Sequence, residues 1–335
     1  MAKKKNAASR SHNPALKATA PTSKPRAKNA PPAPSVPKTM LGKWVSAARP
    51  RTLGLAVAPV AFGTGVASVN QSTHWLNAGL ALLVAVFLQI GVNYANDYSD
   101  GVRGTDAVRV GPFRLTASGI VTPARVRNAA FAFFALAAGA GAALVVITQL
   151  WWLIAVGAVC IVAAWFYTGG KRPYGYAGFG ELVAFVFFGP VAVYGTTFVQ
   201  VPTMFRDLWS ALVDTGGALG LGFLAAAVLL VNNLRDVSTD AAVGKRTLSV
   251  RIGETPSKIL FTVLSAGAIA TLVPYPLFYP ATVIAYVTVL FLLPAILIVW
   301  TYRSPRELVT ALKIVSGAAL IYGLGLGLGL ARLFF

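Results

Sequence analysis

Nine long apolar stretches fill most of the sequence after residue 52, and they limit the fold more than any other feature. A helix needs about 20 apolar residues to cross a hydrocarbon core of ~30 Å. Backbone N–H and C=O groups find no water there, so only helices or closed barrels span it. The sequence lacks the alternating strands of a barrel. It therefore predicts an all-α, polytopic membrane protein with nine spans, at 53–69, 76–95, 128–148, 151–168, 182–199, 216–234, 256–273, 281–300 and 314–330.

Charge is scarce and one-sided. Only 12% of the residues are charged, whereas soluble domains average about 25%. With the N-terminus inside, 27 of the 29 Lys and Arg residues fall in cytoplasmic segments, and only Arg206 and Arg332 fall outside. Positive residues concentrate in the cytoplasmic loops of membrane proteins. The sequence thus predicts a cytoplasmic N-terminus and an external C-terminus, and the net charge of +19 follows this rule rather than indicating a nucleic-acid partner.

The first 42 residues differ from the rest of the chain. They carry nine Lys or Arg residues and no acid, and they are rich in Pro and Ala. Such a segment cannot bury enough apolar surface to offset its ordering entropy. We predict a disordered, basic cytoplasmic tail at 1–42, near anionic lipid headgroups, and a nine-helix transmembrane domain at 43–335. The single Cys160 and the two histidines, His12 and His74, argue against Cys- or His-based metal chemistry.

Five of the ten acidic residues form two clusters. The first ends span 2 and contains Asn96, Asp97, Asp100 and Asp106. The second ends span 6 and contains Asn232, Asp236 and Asp240 at i, i+4 and i+8. On a helix, a spacing of four stacks side chains on one face. The sequence thus predicts two helices that each present a ladder of polar groups at one membrane depth.

Packed carboxylates repel, and the arrangement makes sense if divalent cations lie between them. Mg²⁺ prefers oxygen ligands and binds through one or two carboxylates plus substrate phosphates. Facing ladders are expected to hold two or three Mg²⁺ ions that bridge to a diphosphate. Basic residues after each ladder would bind the other phosphate oxygens: Arg103, Arg109 and Arg114, then Lys245 and Arg246. The predicted metal ligands are Asn96, Asp97, Asp100, Asp106, Asn232, Asp236 and Asp240. The alternative for any one of these acids is an ordinary loop residue.

At these residues the sequence resembles the UbiA superfamily of intramembrane prenyltransferases. The family's two Asp-rich motifs match Asn96-Asp97-x-x-Asp100 and Asp236-x-x-x-Asp240. The wider superfamily often has a third Asp four residues after the second, where this chain has Gly104; Asp106 is displaced by two residues, as in the naphthoate branch. The supporting stretches are Ala48–Leu53, Gln89–Tyr98, Gly104–Asp106, Arg109–Pro112, Tyr167–Gly170, Gly178–Glu181 and Gly244–Leu248.

The resemblance implies a UbiA-like bundle of nine helices around a central cavity open to lipid, in a bacterial plasma membrane. It implies Mg²⁺-dependent transfer of a polyprenyl group from polyprenyl diphosphate to 1,4-dihydroxy-2-naphthoate. The product would be demethylmenaquinone, formed with loss of CO₂ and diphosphate in menaquinone biosynthesis. Asp97, Asp100, Asp236 and Asp240 would be catalytic through Mg²⁺ bound to the leaving group. The implied substrate-binding residues are Arg49, Asn96, Arg109, Arg114, Tyr167, Lys171, Arg172, Lys245 and Arg246.

Several of these residues have a second interpretation. Arg49 and Arg51 would receive the acceptor's carboxylate or would only set the topology of span 1. Tyr167 would bind substrate or anchor the helix at the interface, and Glu181 would be an acid or a partner of the helix dipole. Four aromatic residues would shield an allylic cation or pack the core: Phe185, Phe187, Phe188 and Tyr194.

Other functions stay open at this point. The acceptor could be a benzoate, a heme or a sugar phosphate, and a cation-coupled transporter is a different class of protein. Transporter sites lie near the midplane, whereas these clusters lie at the cytoplasmic rim. The glycines at 323, 325, 327 and 329 fall inside span 9 and predict close helix packing rather than a nucleotide loop. The sequence does not specify the donor's chain length, the number of Mg²⁺ ions or the oligomeric state.

Overall fold

The computed structural model describes residues 37–105, 113–202 and 208–331, and in these ranges every regular element is helical. The N-terminal tail up to residue 36, with most of the predicted disordered segment, lies outside them. The helices are α1 Met40–Ala47, α2 Gly54–Val69, α3 Trp75–Val102, α4 Pro123–Thr148, α5 Leu153–Phe166, α6 Gly180–Phe198, α7 Leu208–Arg235, α8 Val237–Ala242, α9 Leu248–Ile252, α10 Glu254–Leu272, α11 Val287–Thr301 and α12 Pro305–Leu330. Short 3-10 turns cover Pro50–Thr52, Tyr174–Ala177 and Pro280–Tyr286, and a one-turn helix covers Tyr275–Phe278.

Each of the nine apolar stretches contains helix. Within the described residues, seven helices are long and apolar enough to cross a bilayer. Another crossing is formed if the bent pair of Met40–Thr52 and Gly54–Val69, which meet at 48°, acts as one span. The stretch at 151–168 forms only the 14-residue helix α5. The prediction of a multi-pass, all-α membrane protein is therefore confirmed.

Arg49 lies in the connection between α1 and α2, and its φ of 55° is in the left-handed region. Few residues other than glycine adopt this conformation. Pro50 follows, and proline disfavours the right-handed helical conformation in the residue before it. The chain thus turns between α1 and α2, and Arg49 sits at this turn.

Helix α7 is the central helix of the bundle and contacts α6, α10 and α12. Leu224, Leu230 and Val231 are fully buried. Small residues let neighbouring helices come close. A Cβ on Gly189 of α6 would lie 2.5 Å from the carbonyl oxygen of Ala218 on α7. This packing puts the C-terminal end of α7, with Asn232, next to α6.

The glycines of α12 pack against backbone, as predicted. Gly323 and Gly327 face the backbone of Ala58 and Ala61 on α2, while Gly325 and Gly329 face Ala285 and Thr282. Close contact without side chains maximises the van der Waals attraction that holds helices together in lipid. The side of α2 opposite α12 is left to line a cavity.

We expect Gly65→Ala to destabilise the protein by about 1–3 kcal/mol, because a Cβ there would lie 2.5 Å from the carbonyl oxygen of Gly327. Gly317→Ala on α12 is the matched control, since its Cβ would meet nothing within 4 Å. Thermal denaturation of the two purified variants in detergent measures the difference. Equal melting temperatures would contradict the close α2–α12 contact.

Candidate functional site

A cavity of about 620 Å³ lies among helices α2 to α7. Its walls are mainly apolar. Polar side chains gather at the end where α3 and α7 finish, and they include Asn96 from α3 and Asn232 from α7. The first residues of both predicted ladders therefore line one cavity. An apolar cavity with a few convergent polar groups is typical of a small-molecule site.

The first cluster is held by two other segments of the chain. The side-chain oxygen of Asn96 accepts a hydrogen bond of 2.8 Å from the Thr168 hydroxyl. Asp100, one helical turn further, accepts a 2.6 Å hydrogen bond from the Tyr176 hydroxyl. Its second oxygen lies 3.6 Å from the Arg114 guanidinium. Asp100 is only 3% exposed, so these partners replace water around its charge.

Asp97 is placed differently from Asp100. It is fully buried, and its two carboxylate oxygens accept hydrogen bonds of 2.9 Å from the backbone N–H groups of Leu115 and Thr116. Neither carboxylate lines the cavity. In this geometry Asp97 anchors the segment at 113–118 to α3, and that anchoring brings Arg114 to Asp100.

The second cluster spans a helix break. The spacing predicted one continuous helical face through Asp240, and this expectation is wrong because α7 ends at Arg235 and α8 begins at Val237. Asp236 lies at the junction. Its oxygens accept hydrogen bonds of 2.7 and 2.6 Å from Arg235, whose guanidinium also donates to Asn232 at 3.0 Å. Asp236 thus pairs with the cation that ends α7.

Asp240 on α8 is also paired with a cation. One of its oxygens lies 3.4 Å from Nζ of Lys245. The backbone N–H of Lys245 donates to the carbonyl of Asp240 at 2.9 Å, which closes the turn after α8. The three carboxylates at 100, 236 and 240 therefore each have a basic side chain within 4 Å.

The segment from Tyr167 to Gly178 connects the two clusters. Tyr167 and Tyr174 line the cavity. Arg103, at the end of α3, donates to the carbonyls of Thr168 and Gly170. Tyr176 contacts Asp100 through its hydroxyl and accepts a 3.1 Å hydrogen bond from the Arg246 backbone N–H at its carbonyl. This segment joins the end of α3 to the turn after α8.

The two tyrosines of the 174–177 turn are held as neutral hydrogen-bond donors. Burial raises the pKa of the Tyr174 hydroxyl to about 12. Burial, followed by the charge of Asp100, also raises the pKa of Tyr176. Both hydroxyls therefore keep their protons at neutral pH, and Tyr174 donates to the Ala163 carbonyl at 2.6 Å.

The predicted basic residues divide into three groups. Arg49 lines the cavity, Arg114 is buried beside Asp100, and Lys245 is half-buried beside Asp240. The side chains at the surface are Arg51, Lys171, Arg172 and Arg246. The predicted ligand Asp106 and the predicted phosphate-binding Arg109 lie outside the described residues.

Two of the four predicted aromatic wall residues line the cavity. Phe187 and Phe188 lie in a π-helical turn of α6, at Phe187–Val191, where Pro190 lacks the N–H for a regular helical bond. Phe185 and Tyr194 do not line it: Phe185 packs on Phe223, and the Tyr194 hydroxyl donates to Thr215 on α7 at 2.9 Å. For these two residues the packing interpretation fits.

Glu181 is buried at the start of α6. It is 5% exposed, and one of its oxygens accepts a 2.9 Å hydrogen bond from the Asn233 side chain. It does not line the cavity. In this position it joins α6 to the end of α7 through Asn233.

The donor set at the polar end suits a hard divalent cation. The oxygens of Asp100, Asp236 and Asp240, with the amide oxygens of Asn96 and Asn232, are of the type that Mg²⁺ binds. Across the described ranges, however, no group of three or more His, Cys, Asp or Glu residues is arranged to hold a metal. The carboxylates lie with basic side chains, so binding a cation there requires these ion pairs to open.

Three residues near the site escaped the sequence analysis: Thr168, Tyr174 and Tyr176. They carry no charge and follow no motif of acids. The only available signal was their proximity to Tyr167 and Lys171 in a short polar segment between two apolar stretches. Their partners, at Asn96, Ala163 and Asp100, are distant in the sequence.

We expect Asp97→Asn to destabilise the fold by about 1–3 kcal/mol, because an amide leaves one of the two buried backbone N–H groups without an acceptor. Thermal denaturation and limited proteolysis of the 113–118 segment measure this loss. The control is Glu307→Gln, which changes an exposed acid on α12. A normal melting temperature together with an altered metal requirement would instead support the predicted ligand role of Asp97.

Comparison with known proteins agrees with this architecture. The sequence pattern of the UbiA prenyltransferase family matches residues 56–330. A 1,4-dihydroxy-2-naphthoate octaprenyltransferase from Mycobacterium tuberculosis is 48% identical over 289 residues, covering 86% of this chain and 97% of that protein. The Escherichia coli protein of the same name is 38% identical, covering 70% of this chain and 76% of that protein.

A solved structure has the same fold. A UbiA homolog from Archaeoglobus fulgidus, bound to GPP and Mg²⁺, superposes with a TM-score of 0.61 at 17% identity. The match covers 85% of this chain and 99% of that chain. The helices around the cavity, the family match and the similarity to curated relatives agree: this chain belongs to the UbiA prenyltransferase family.

Proposed function

We propose that this chain transfers a polyprenyl group from a polyprenyl diphosphate to 1,4-dihydroxy-2-naphthoate. The observation that carries the proposal is an apolar cavity whose polar end is formed by Asn96 and Asn232, beside three carboxylates and their cations. Such a cavity accepts a lipid chain and holds its diphosphate at one end. The names of the relatives at 48% and 38% identity support this acceptor.

The proposed reaction breaks the allylic C–O bond of the donor, and diphosphate leaves with the bonding electrons. The naphthalene ring attacks the allylic carbon through the ring carbon that bears the carboxylate. Loss of CO₂ restores the aromatic ring and releases the demethylmenaquinone skeleton as its quinol. No oxidant is needed in this step.

We propose Asp100, Asp236 and Asp240, with Asn96 and Asn232, as the Mg²⁺ ligands. When bound, Mg²⁺ would neutralise charge on the departing diphosphate. The UbiA homolog solved with GPP and Mg²⁺ supports this choice of metal. We propose that Asp97 contributes by anchoring the 113–118 segment, since it is fully buried and turning its oxygens to a metal would release the backbone N–H groups of Leu115 and Thr116.

Basic side chains at the polar end would bind the diphosphate oxygens. Arg114, Arg235 and Lys245 each lie within 4 Å of a carboxylate. They are thus positioned to turn from a carboxylate to a phosphate when a metal neutralises the carboxylate. Lys171, Arg172 and Arg246, at the surface nearby, would raise the local concentration of anionic donor.

Arg49 is the proposed partner of the acceptor's carboxylate. Arg49 lines the cavity, and a guanidinium suits bidentate pairing with a carboxylate. The carbonyl of Ala48 accepts a 2.8 Å hydrogen bond from the Asn93 side chain, which fixes the turn that carries Arg49. Arg51 is exposed, and we propose that it sets the topology of span 1 instead of binding the acceptor.

The apolar walls would keep water from the allylic carbon. Phe187 and Phe188 line the cavity and present π faces that stabilise positive charge. Water reaching a carbocation would divert it to an alcohol, so excluding water protects the transfer.

We propose nine crossings in the membrane: the seven long helices, the bent pair ending in α2, and α5. With nine crossings, the termini lie on opposite sides, and the distribution of Lys and Arg puts the N-terminus in the cytoplasm. The acid clusters, at the ends of α3 and α7, then face the cytoplasm. There a soluble naphthoate is accessible.

We propose that the cavity opens to the lipid bilayer beside α5. Helix α5 contacts α3 and α4 and has no fully buried residue. A recess of about 280 Å³ lies between α5 and α6, and it shares Ala163, Tyr174, Val183 and Phe187 with the cavity. A long prenyl tail would leave the cavity here and continue into the bilayer.

We expect purified protein to convert dihydroxynaphthoate and a polyprenyl diphosphate into a prenylated quinol with Mg²⁺ present. Asp100→Asn and Asp236→Asn should each lower turnover by at least roughly a hundredfold, because a lost ligand removes charge stabilisation from the leaving group. Mass spectrometry of the product and release of diphosphate measure the rate. Glu307→Gln is the control.

The same assay tests the metal and the acceptor. EDTA should stop turnover, and added Mg²⁺ should restore it. An unchanged rate in EDTA would reject the metal sites, while prenylation of a benzoate in preference to dihydroxynaphthoate would reject the acceptor.

Ala163→Phe should lower kcat/KM for octaprenyl diphosphate about tenfold and leave geranyl diphosphate within about twofold, because a ring would fill the recess, which Asn96 and Asn232 do not line. Ala155→Phe, on the exposed side of the same helix, is the matched control. Initial rates with both donors make the comparison. An equal loss for the two donors would contradict tail passage beside α5.

A further inference from the structure

The Tyr176 side chain contacts Asp100 of the first acid cluster and Lys245, the cation paired with Asp240 of the second. Its hydroxyl donates a 2.6 Å hydrogen bond to Oδ1 of Asp100. Its ring lies 5.1 Å from Nζ of Lys245, which pairs with Asp240. One residue thus links a carboxylate at the end of α3 to a carboxylate on α8.

The turn that carries Tyr176 is fixed from several sides. Its backbone N–H donates to Pro173, and its carbonyl accepts from Arg246, both at 3.1 Å. A second cation, the Arg103 guanidinium at the end of α3, lies 5.4 Å from the ring centroid, so the two cations near the ring come from different segments of the chain. Cations over an aromatic face hold the ring in place. The hydroxyl therefore meets Asp100 from a defined direction.

A hydrogen bond of this kind can orient a carboxylate that binds a metal. An oxygen that accepts one hydrogen bond keeps a second lone pair. Groups that hold metal ligands in this way commonly change metal affinity 10–100-fold when removed. Tyr176 also ties the position of Asp100 to that of Lys245 and Asp240.

We propose that Tyr176 is a positioning residue that orients Asp100 and aligns the two clusters for divalent-cation binding. The inference rests on the proposed function, because it takes Asp100 and Asp240 as ligands. Tyr176 acts through Asp100, so its hydroxyl is expected to govern metal affinity rather than the rate of the saturated enzyme.

The neighbouring Tyr174 provides a matched control. It lies in the same turn and also donates through its hydroxyl, but to the backbone carbonyl of Ala163 on α5. Tyr176→Phe and Tyr174→Phe each remove one hydroxyl and retain one ring. Tyr176→Phe also retains the ring contacts with Arg103 and Lys245.

The experiment titrates Mn²⁺ alone into the full-length protein in detergent and follows free Mn²⁺ by electron paramagnetic resonance. We expect Tyr176→Phe to weaken Mn²⁺ binding about tenfold, and Tyr174→Phe to leave it within about twofold. In turnover assays, Tyr176→Phe should raise the half-saturating Mg²⁺ concentration by a similar factor while kcat at saturating Mg²⁺ changes little. Melting temperatures confirm that both variants fold.

The outcomes separate this inference from the proposed function. If the wild type binds Mn²⁺ and transfers prenyl groups while Tyr176→Phe binds Mn²⁺ normally, the positioning role is rejected and the function stands. Equal weakening by Tyr174→Phe also rejects it, because the effect then belongs to the turn as a whole. If the wild type transfers prenyl groups but binds no Mn²⁺ alone, the positioning role is rejected and the function stands; if it transfers no prenyl group, the proposed function fails.

Discussion

Neutralising buried carboxylates is the constraint on which the polar end of this molecule depends. Asp100, Asp236 and Asp240 are at most 5% exposed, and a buried charge without a partner costs several kcal/mol. Each therefore lies beside a cation, and the cations come from the 113–118 segment, the end of α7 and the turn after α8. The requirement for neutralisation thus attaches the connecting segments to the helix ends and gives the site its shape.

The apolar part of the bundle is held together by a different interaction, the close packing of helices. Helices in lipid gain little from the hydrophobic effect and associate through close packing. Glycines let α12 meet α2 backbone to backbone, and α7 packs in the same way on α6. Tight packing on these faces leaves the opposite faces of α2, α6 and α7 free to surround the cavity with α3, α4 and α5. The void therefore follows from where small residues are concentrated.

The helical fold was predictable from the sequence because the thickness of the bilayer and the need to satisfy backbone hydrogen bonds constrain long stretches of residues. All nine apolar stretches contain helix, and the glycines of α12 pack as their spacing predicted. A pattern that extends over such a long window does not distinguish the roles of two neighbouring acidic residues. Asp97 and Asp100 belong to one motif, yet Asp97 anchors a backbone segment and Asp100 accepts a hydrogen bond from the Tyr176 hydroxyl. The break at Asp236 was missed because α7 and α8 run together in the sequence pattern.

Asp214, toward the other end of α7, is a second acidic residue whose role the sequence pattern did not predict. It lies far from both motifs, is fully buried, and accepts a 3.0 Å hydrogen bond from the Thr197 hydroxyl on α6. A spacing rule had no reason to select it, because its partner comes from another helix.

Pairing within the polar end also explains why cations and carboxylates occur there in similar number. A carboxylate cluster alone would repel itself, and a cationic cluster alone would bind anions of any kind. Interleaved, they form a site that is nearly neutral before substrate arrives. Under the proposed function, a diphosphate that brings its own divalent cation would add little net charge to this site, and both sets of side chains would exchange partners as it binds. A bare anion would instead have to break an ion pair without replacing it. The cost of that uncompensated charge would favour the metal-bound diphosphate over other anions.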